Sequence, residues 1–188
     1  MLIKIVIALV ILIAAFLVVA ALQPSAFRVE RSATMSASPA IVFSQVNDLH
    51  KFQGWSPWAR LDANCKTTYE GPPAGAGAAF SWDGNSQVGN GRMTITESQA
   101  PSLVRTRLDF EKPFKATNYA EFKFTPQGDQ TLVTWSMVGQ KNFICKAIGL
   151  LMSMDKMCGG QFEQGLSNMK QIVEAEAKTT PLPVAAAS

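Results

Sequence analysis

The last apolar segment of the chain, from Phe143 to Lys178, most constrains the fold, because it predicts a long helix with one apolar stripe. The stripe has a single polar position, Asp155. A helix of about 35 residues would be roughly 52 Å long, whereas a domain of about 150 residues is only about 40 Å across. We therefore expect a break, with Ser153 or Asp155 capping a second helix, or with Gly159-Gly160 as the weak point.

The N-terminus is the most apolar part of the chain. Between Leu2 and Leu22 the only charged residue is Lys4, and an uninterrupted apolar run extends from Ile5 to Leu22. As a helix this run spans about 27 to 31 Å, which matches the ~30 Å hydrocarbon core of a bilayer. It predicts a transmembrane anchor over residues 1–23 that meets the membrane through residues 2–22. A cleaved signal peptide is the alternative, although its apolar region usually has only about 7 to 15 residues.

The charges on the two flanks of this run leave its orientation open. Lys4 lies on one side, while Arg28 and Arg31, offset by Glu30, lie on the other. An uncleaved signal-anchor would place the soluble domain on the extracytoplasmic side, which is the location we expect. The 17 basic and 14 acidic residues of the chain form no basic run, so no nucleic-acid partner is expected.

The middle of the chain, from Asn64 to Gln140, predicts an antiparallel meander, because β-rich runs alternate with glycine and proline. A strand over Phe27–Met35 and a short helix after Ser38-Pro39 precede it. The meander strands are expected near 65–70, 78–83, 87–98, 102–111, 117–126 and 130–140, with a bulge between Gly89 and Gly91. This order predicts an α+β domain over residues 27–177, preceded by a linker over 24–26 and followed by a disordered tail over 178–188.

Several motifs together resemble the START-like helix-grip superfamily (SRPBCC), in its membrane-anchored polyketide cyclase/dehydrase and lipid-transport branch. The motifs are Asn47-Asp48 with Trp55-Ser56-Pro57-Trp58, Trp82-Asp83-Gly84-Asn85 with Gly89-Asn90-Gly91-Arg92-Met93, Asp109-Phe110-Glu111-Lys112-Pro113-Phe114, and Met154-Asp155-Lys156-Met157 with Gly165-Leu166-Ser167-Asn168-Met169-Lys170. The resemblance covers Phe27 to Glu174. It implies a curved antiparallel sheet wrapped around the long C-terminal helix, with a hydrophobic cavity between them, but it implies no particular reaction.

Candidate catalytic groups are sparse. Asp109, Glu111 and Asp155 are the carboxylates best placed to act as general acids or bases, and a cap, an ion pair or a ligand contact are the alternatives. His50, the only histidine, stands beside Asp48 and is interpreted as a surface or capping residue. One histidine and three scattered cysteines predict no metal site, and no cofactor is expected.

The aromatic and methionine residues carry the functional prediction. Some of them should line the apolar cavity if the domain is a grip, although most residues of this kind form core. The ligand-binding candidates are Trp55, Trp58, Trp82, Met93, Phe122, Trp135, Met154 and Phe162. The sequence therefore predicts a membrane-tethered domain that binds or transports a hydrophobic small molecule or lipid.

Two alternatives remain open at this point. The first is a cyclase/dehydrase-like or hydrolase-like enzyme that uses acid/base chemistry in the same cavity, which requires Asp109, Glu111, Asp155, His50 or Tyr119 to point inward. The second is that the apolar segment Phe143–Met154 docks on the membrane or on a partner protein.

Overall fold

A computed structural model of the chain describes residues 1–150 and 153–179. Within these ranges the helices and strands follow the predicted order. The helices are α1 (Leu2–Leu22), α2 (Pro39–Asn47), α3 (Leu49–Trp55), α4 (Phe143–Gly149) and α5 (Met154–Thr179), with a 3-10 turn at Trp58–Arg60. The strands are β1 (Ala26–Met35), β2 (Lys66–Glu70), β3 (Ala79–Asp83), β4 (Asn90–Gln99), β5 (Leu103–Lys112), β6 (Ala116–Gln127) and β7 (Gln130–Gln140).

The seven strands form one antiparallel sheet in the order β1-β7-β6-β5-β4-β3-β2. Side chains of successive residues alternate between its two faces. Helices α2, α3 and α5 cover one face, which we call the inner face, and α5 runs along β1. The predicted α+β helix-grip architecture, with an apolar helix before it, is therefore confirmed.

One strand begins later than predicted. The chain from Gly84 to Gly89 forms a turn, in which the Gly84 N–H donates to the Gly89 carbonyl at 2.9 Å and Gly89 has a φ of 68°. Strand β4 therefore begins at Asn90 instead of residue 87. The predicted bulge is confirmed, since the register with β5 shifts between Asn90 and Gly91.

The predicted break in the C-terminal segment lies between α4 and α5. The Lys156 N–H donates to the Ser153 hydroxyl at 3.3 Å, so Ser153 caps the second helix, as one of the two predicted residues. The alternative weak point was wrong, because Gly159 and Gly160 lie inside α5. Helix α5 extends to Thr179, and residues 180–188 of the predicted tail lie outside the described residues.

Arg31 explains why α5 contains a glycine at position 159. Its side chain points from the inner face of β1 toward the first turns of α5. The guanidinium donates to both Asp155 oxygens, at 2.7 and 3.0 Å, and to Glu163 at 2.6 Å. Gly159 lies one turn from each carboxylate, and a Cβ there would overlap the guanidinium. The absent side chain therefore lets Arg31 pair with both acids.

We predict different effects of alanine at the two neighbouring glycines. Gly160→Ala should stabilise the protein by up to about 1 kcal/mol, because nothing lies within 4 Å of its Cβ position and alanine favours helix over glycine. Gly159→Ala should carry a cost that offsets this gain, because its methyl group displaces the Arg31 guanidinium from Asp155 and Glu163. Thermal and urea unfolding measure both variants. Equal effects of the two substitutions would contradict this role of Gly159, as would a Gly159→Ala cost that persists in an Arg31→Ala background.

Candidate ligand-binding site

Aromatic side chains fill the space between α5 and the middle of the sheet. The Trp135 ring stacks on Phe162 of α5 with centroids 3.9 Å apart, and on Phe122 of β6 at 4.9 Å. Trp55 and Trp58 meet Trp135 edge-on at 5.5 and 5.8 Å. These contacts hold α5 on the inner face and leave this part of the fold packed.

Helix α5 covers only part of the inner face. Its first turns lie beside Arg31, near the middle of β1, and Glu174 accepts a hydrogen bond at 2.9 Å from the Ser36 N–H, just beyond the far end of that strand. The helix therefore runs away from the end of β1 that follows α1. We call the opposite region, between the start of α5 and the strand ends nearest α1, the mouth of the grip.

The strand register brings the residues of the mouth together. One line across the sheet joins Phe27, Gly139, Asn118, Leu108 and Met93 on five neighbouring strands. Beyond this line Trp82 and Phe110 meet edge-on at 5.5 Å. Phe27, Trp82, Leu108 and Phe110 are only half-buried, so the mouth exposes an apolar wall.

Buried polar atoms without a partner lie on the same face. Four buried side-chain atoms of the described residues make no hydrogen bond to another protein atom: Asn90 Oδ1 beside the bulge, and Thr106 Oγ1, Asn118 Oδ1 and Trp135 Nε1 from inner-face residues. Thr106 and Asn118 stand on neighbouring strands, at or next to the Phe27–Met93 line. Leaving such a group unpaired costs about 1–3 kcal/mol, so each one calls for an explanation. A molecule bound at the mouth with its own hydrogen-bonding groups would satisfy Thr106 and Asn118.

Asp109 lies on the other face of the sheet. Its carboxylate accepts hydrogen bonds from the Thr117 hydroxyl at 2.7 Å and from Arg107 at 2.9 Å. Partial burial acts to raise the pKa of Asp109, but the bonds from Thr117 and Arg107 outweigh it and hold that pKa below its usual value. Tyr119 is exposed on this outer face as well. Neither side chain reaches the mouth.

The other acid/base candidates are not part of the apolar wall, although Asp155 lies at the border of the mouth, at the start of α5. Glu111 is exposed at the bulge, and Asp155 is exposed and paired with Arg31, whose hydrogen bonds lower the pKa of Asp155. The exposed His50 stacks on Tyr69 with ring centroids 3.7 Å apart. The Cys158 thiol lies about one turn after Asp155 in α5, and its burial raises its pKa, which disfavours a thiolate nucleophile.

Within residues 1–150 and 153–179, no three His, Cys, Asp or Glu side chains converge as metal ligands would.

Two depressions in the described surface lie outside the space between sheet and α5. An open groove of about 560 Å³ lies at the β1, β6 and β7 strand ends, lined by Arg28, Tyr119 and Val138 and also by Phe27 and Gly139 of the mouth line. A smaller one of about 100 Å³ lies between His50, Tyr69 and Pro72. Neither depression is an enclosed cavity between the sheet and α5, where the described side chains form the aromatic packing and the half-buried mouth.

The predicted ligand-binding residues divide into two groups. Trp55, Met93, Phe122, Trp135 and Phe162 are buried in the core, whereas Trp58, Trp82 and Met154 are half-buried at its edge. The sequence reasoning missed Phe27, Thr106, Leu108, Phe110 and Asn118. The alternation of β5 and β6, combined with their hairpin register, was the signal that could have found the last four.

Comparison with known proteins agrees with the fold. Residues 26–174 match the family described as polyketide cyclase / dehydrase and lipid transport. No curated protein sequence matches the chain.

Several solved structures share the architecture. Norcoclaurine synthase from Thalictrum flavum, in complex with dopamine and hydroxybenzaldehyde, is 11% identical with a TM-score of 0.62, over 82% of this chain and 90% of that one. Protein CV1439 from Chromobacterium violaceum is 15% identical with a TM-score of 0.57, over 81% and 99%. The Aha1 dimer protein from Colwellia psychrerythraea is 13% identical with a TM-score of 0.56, over 79% and 96%. At these identities the likeness shows the fold alone.

We predict that two buried threonines respond oppositely to valine. Thr106→Val should stabilise the ligand-free protein by about 1 kcal/mol, because it removes an unpaired hydroxyl. Thr131→Val, the matched control, should destabilise it by a similar ~1 kcal/mol, because the Thr131 hydroxyl donates to the Ala37 carbonyl at 2.7 Å. Urea unfolding of delipidated protein measures both. A loss of stability in Thr106→Val as large as that in Thr131→Val would mean that its hydroxyl already has a partner.

Proposed function

This chain belongs to the polyketide cyclase/dehydrase and lipid transport family, and we propose that it is a membrane-tethered member that binds or transfers a hydrophobic small molecule or lipid at the mouth of the grip. The observation that carries the proposal is the pairing of a half-buried apolar wall with unpaired buried oxygens. Burying the wall would contribute about 25 cal/mol for each Å² of apolar surface removed from water.

The polar atoms narrow the class of ligand. Asn118 Oδ1 can accept a hydrogen bond, and the Thr106 hydroxyl can donate or accept one. An apolar molecule with a hydroxyl or a protonated carboxyl group, such as a sterol, an acylglycerol or a fatty acid, would satisfy these groups. A pure hydrocarbon would leave them unpaired, and a highly charged molecule would lose its hydration without gaining a counter-ion at the mouth.

The tether rests on α1. This helix of 21 residues is long and apolar enough to cross a bilayer, and a signal sequence meets the same criterion. Residues 1–23 would then be the anchor and 24–26 the linker to the domain over 27–177. A linker of three residues spans at most about 10 Å, so the mouth would stay near the membrane surface.

The positions of the candidate acids and bases favour a binding protein over the enzyme alternative. The acid/base mechanism needs one of them to point inward, whereas Asp109 and Tyr119 lie on the outer face and Asp155 is paired with Arg31. Norcoclaurine synthase is an enzyme with this fold, but only the fold is shared at 11% identity.

We predict that a charge on the inner wall abolishes binding. Leu108→Asp should lower the co-purified apolar ligand at least about tenfold, because it places a carboxylate in an apolar site without a partner. Val138→Asp, on the outer face, is the matched control and should leave the ligand level unchanged. Native mass spectrometry of the full chain, released from lipid nanodiscs, measures the bound mass.

A second variant distinguishes a loss of binding from misfolding of the domain. Leu108→Trp keeps the wall apolar but fills the mouth, and it should also lower binding while circular dichroism and the melting temperature stay close to those of the parent. The proposal would be rejected if the parent chain carried no ligand and took up no fluorescent fatty acid. It would be rejected equally if both Leu108 variants bound ligand as well as Val138→Asp does.

A further inference from the structure

We propose that α4 lies in the interfacial layer of the bilayer, so that the mouth of the grip opens toward lipid instead of bulk water. This inference rests on the membrane tether of the proposed function and adds a second contact with the same membrane. The occupant of the exposed α4 surface is therefore lipid. A protein partner is treated below as an outcome of the test.

Helix α4 is unusually apolar for a surface helix. Phe143, Ile144 and Ile148 are 48%, 45% and 44% exposed, and none of the seven residues of α4 is buried by the domain. Residues 141–154 contain two lysines and no carboxylate. Apolar side chains next to lysines are typical of helices that lie in a membrane interface, where the chains enter the acyl boundary and the ammonium groups meet phosphates.

The contact between α4 and α1 sets the depth of α4. The two helices pack together, and the Lys146 ammonium donates to the Ala21 carbonyl at 3.3 Å. Ala20 is fully buried, in a helix whose large side chains are exposed. Helix α1 is about 31 Å long, close to the hydrocarbon thickness, so Ala20 and Ala21 would lie at the boundary of the core. A helix packed on them must lie at the same level.

The connection to the sheet fixes this arrangement. The Lys141 N–H donates to the Ser25 carbonyl at 2.7 Å, which joins the residue just before α4 to the linker that leaves α1. Lys146 therefore joins α4 to the end of α1, while Lys141 joins the start of α4 to the linker. Rotation of the domain about the residues between α1 and Ser25 would break the Lys146–Ala21 hydrogen bond and separate α4 from α1.

A second exposed apolar side chain, besides those of α4, lies at the same end of the sheet. The β5–β6 hairpin carries Phe114, which is 41% exposed, between Lys112 and Lys115. The strand register places this hairpin at the end where β1 begins and β7 ends. The carboxylate of the neighbouring Glu111 partly offsets the charge of the two lysines. This part of the inference therefore rests on the apolar contact of Phe114 and not on net charge.

The position of α4 has a consequence for ligand entry. Helix α5 begins soon after α4, and its residues Met154 and Cys158 pack at the edge of the core together with Phe27, Trp82 and Leu108. These are residues of the mouth or its border. A lipid-borne ligand could then move between bilayer and mouth without crossing water.

Depth measurement by spin labelling tests the inference on the full chain in phosphatidylcholine/phosphatidylglycerol vesicles. Single cysteines would be placed at Ile148 in α4, at Val10 in α1 and at Gln127, in a Cys65→Ser, Cys145→Ser, Cys158→Ser background. Gln127 is an exposed control at the opposite end of the sheet, about 33 Å away along β7. Collisions of the label with oxygen and with a water-soluble nickel chelate report its depth.

We expect the Ile148 label to be oxygen-rich and at least about fivefold less accessible to the nickel chelate than the Gln127 label, as for a residue 5–10 Å inside the interface. An aqueous Ile148 label with Val10 in lipid would overturn the α4 contact and leave the tether intact. An aqueous Val10 label would overturn the tether and the α4 contact with it. An Ile148 label shielded from both reagents would indicate a protein partner and also contradict the inference.

Discussion

The flat contact between Trp135 and Phe162 holds the C-terminal helix against the sheet, and the rest of the fold depends on it. The ring planes are 8° from parallel, and Phe122, Trp55 and Trp58 surround them. Aromatic pairs of this kind contribute about 0.5–1.5 kcal/mol beyond the burial of their surface. Beside this cluster, the Arg31 guanidinium pairs with both oxygens of Asp155 and with Glu163. These ion pairs hold the first turns of α5 next to the middle of β1.

The starting point of α5 decides which part of the inner face stays open. Since the helix begins beside Arg31 and runs toward Ser36, the strand ends nearest α1 lie beyond it. Their side chains form the mouth, where Leu108 and Trp82 are half-buried and Asn118 has an unpaired oxygen. The same end of the sheet carries the linker from α1 and the start of α4. The packed half of the domain thus provides rigidity, and the proposed binding and membrane contacts share the other half.

Local sequence signals were sufficient for most of the fold. Gly-containing turns separated the strands, and Ser153 marked the start of α5. The error at Gly159-Gly160 arose because helix propensity is local, while the reason for Gly159 is Arg31, more than a hundred residues away. The mouth was harder to predict for the same reason. Leu108 and Asn118 become neighbours only through strand register, and burial of an aromatic residue does not reveal whether it faces a ligand or other rings.

The most direct test of the account is the position of the bound molecule. A photoactivatable fatty acid with a diazirine on its acyl chain, supplied to the full protein in nanodiscs, should crosslink to inner-face residues of the mouth, above all Leu108, Phe110 and Asn118. Fragment-ion sequencing assigns the modified residues. Labels confined to the outer face at Arg107, Tyr119 and Val138, or to α1 and α4 alone, would contradict a ligand site inside the grip.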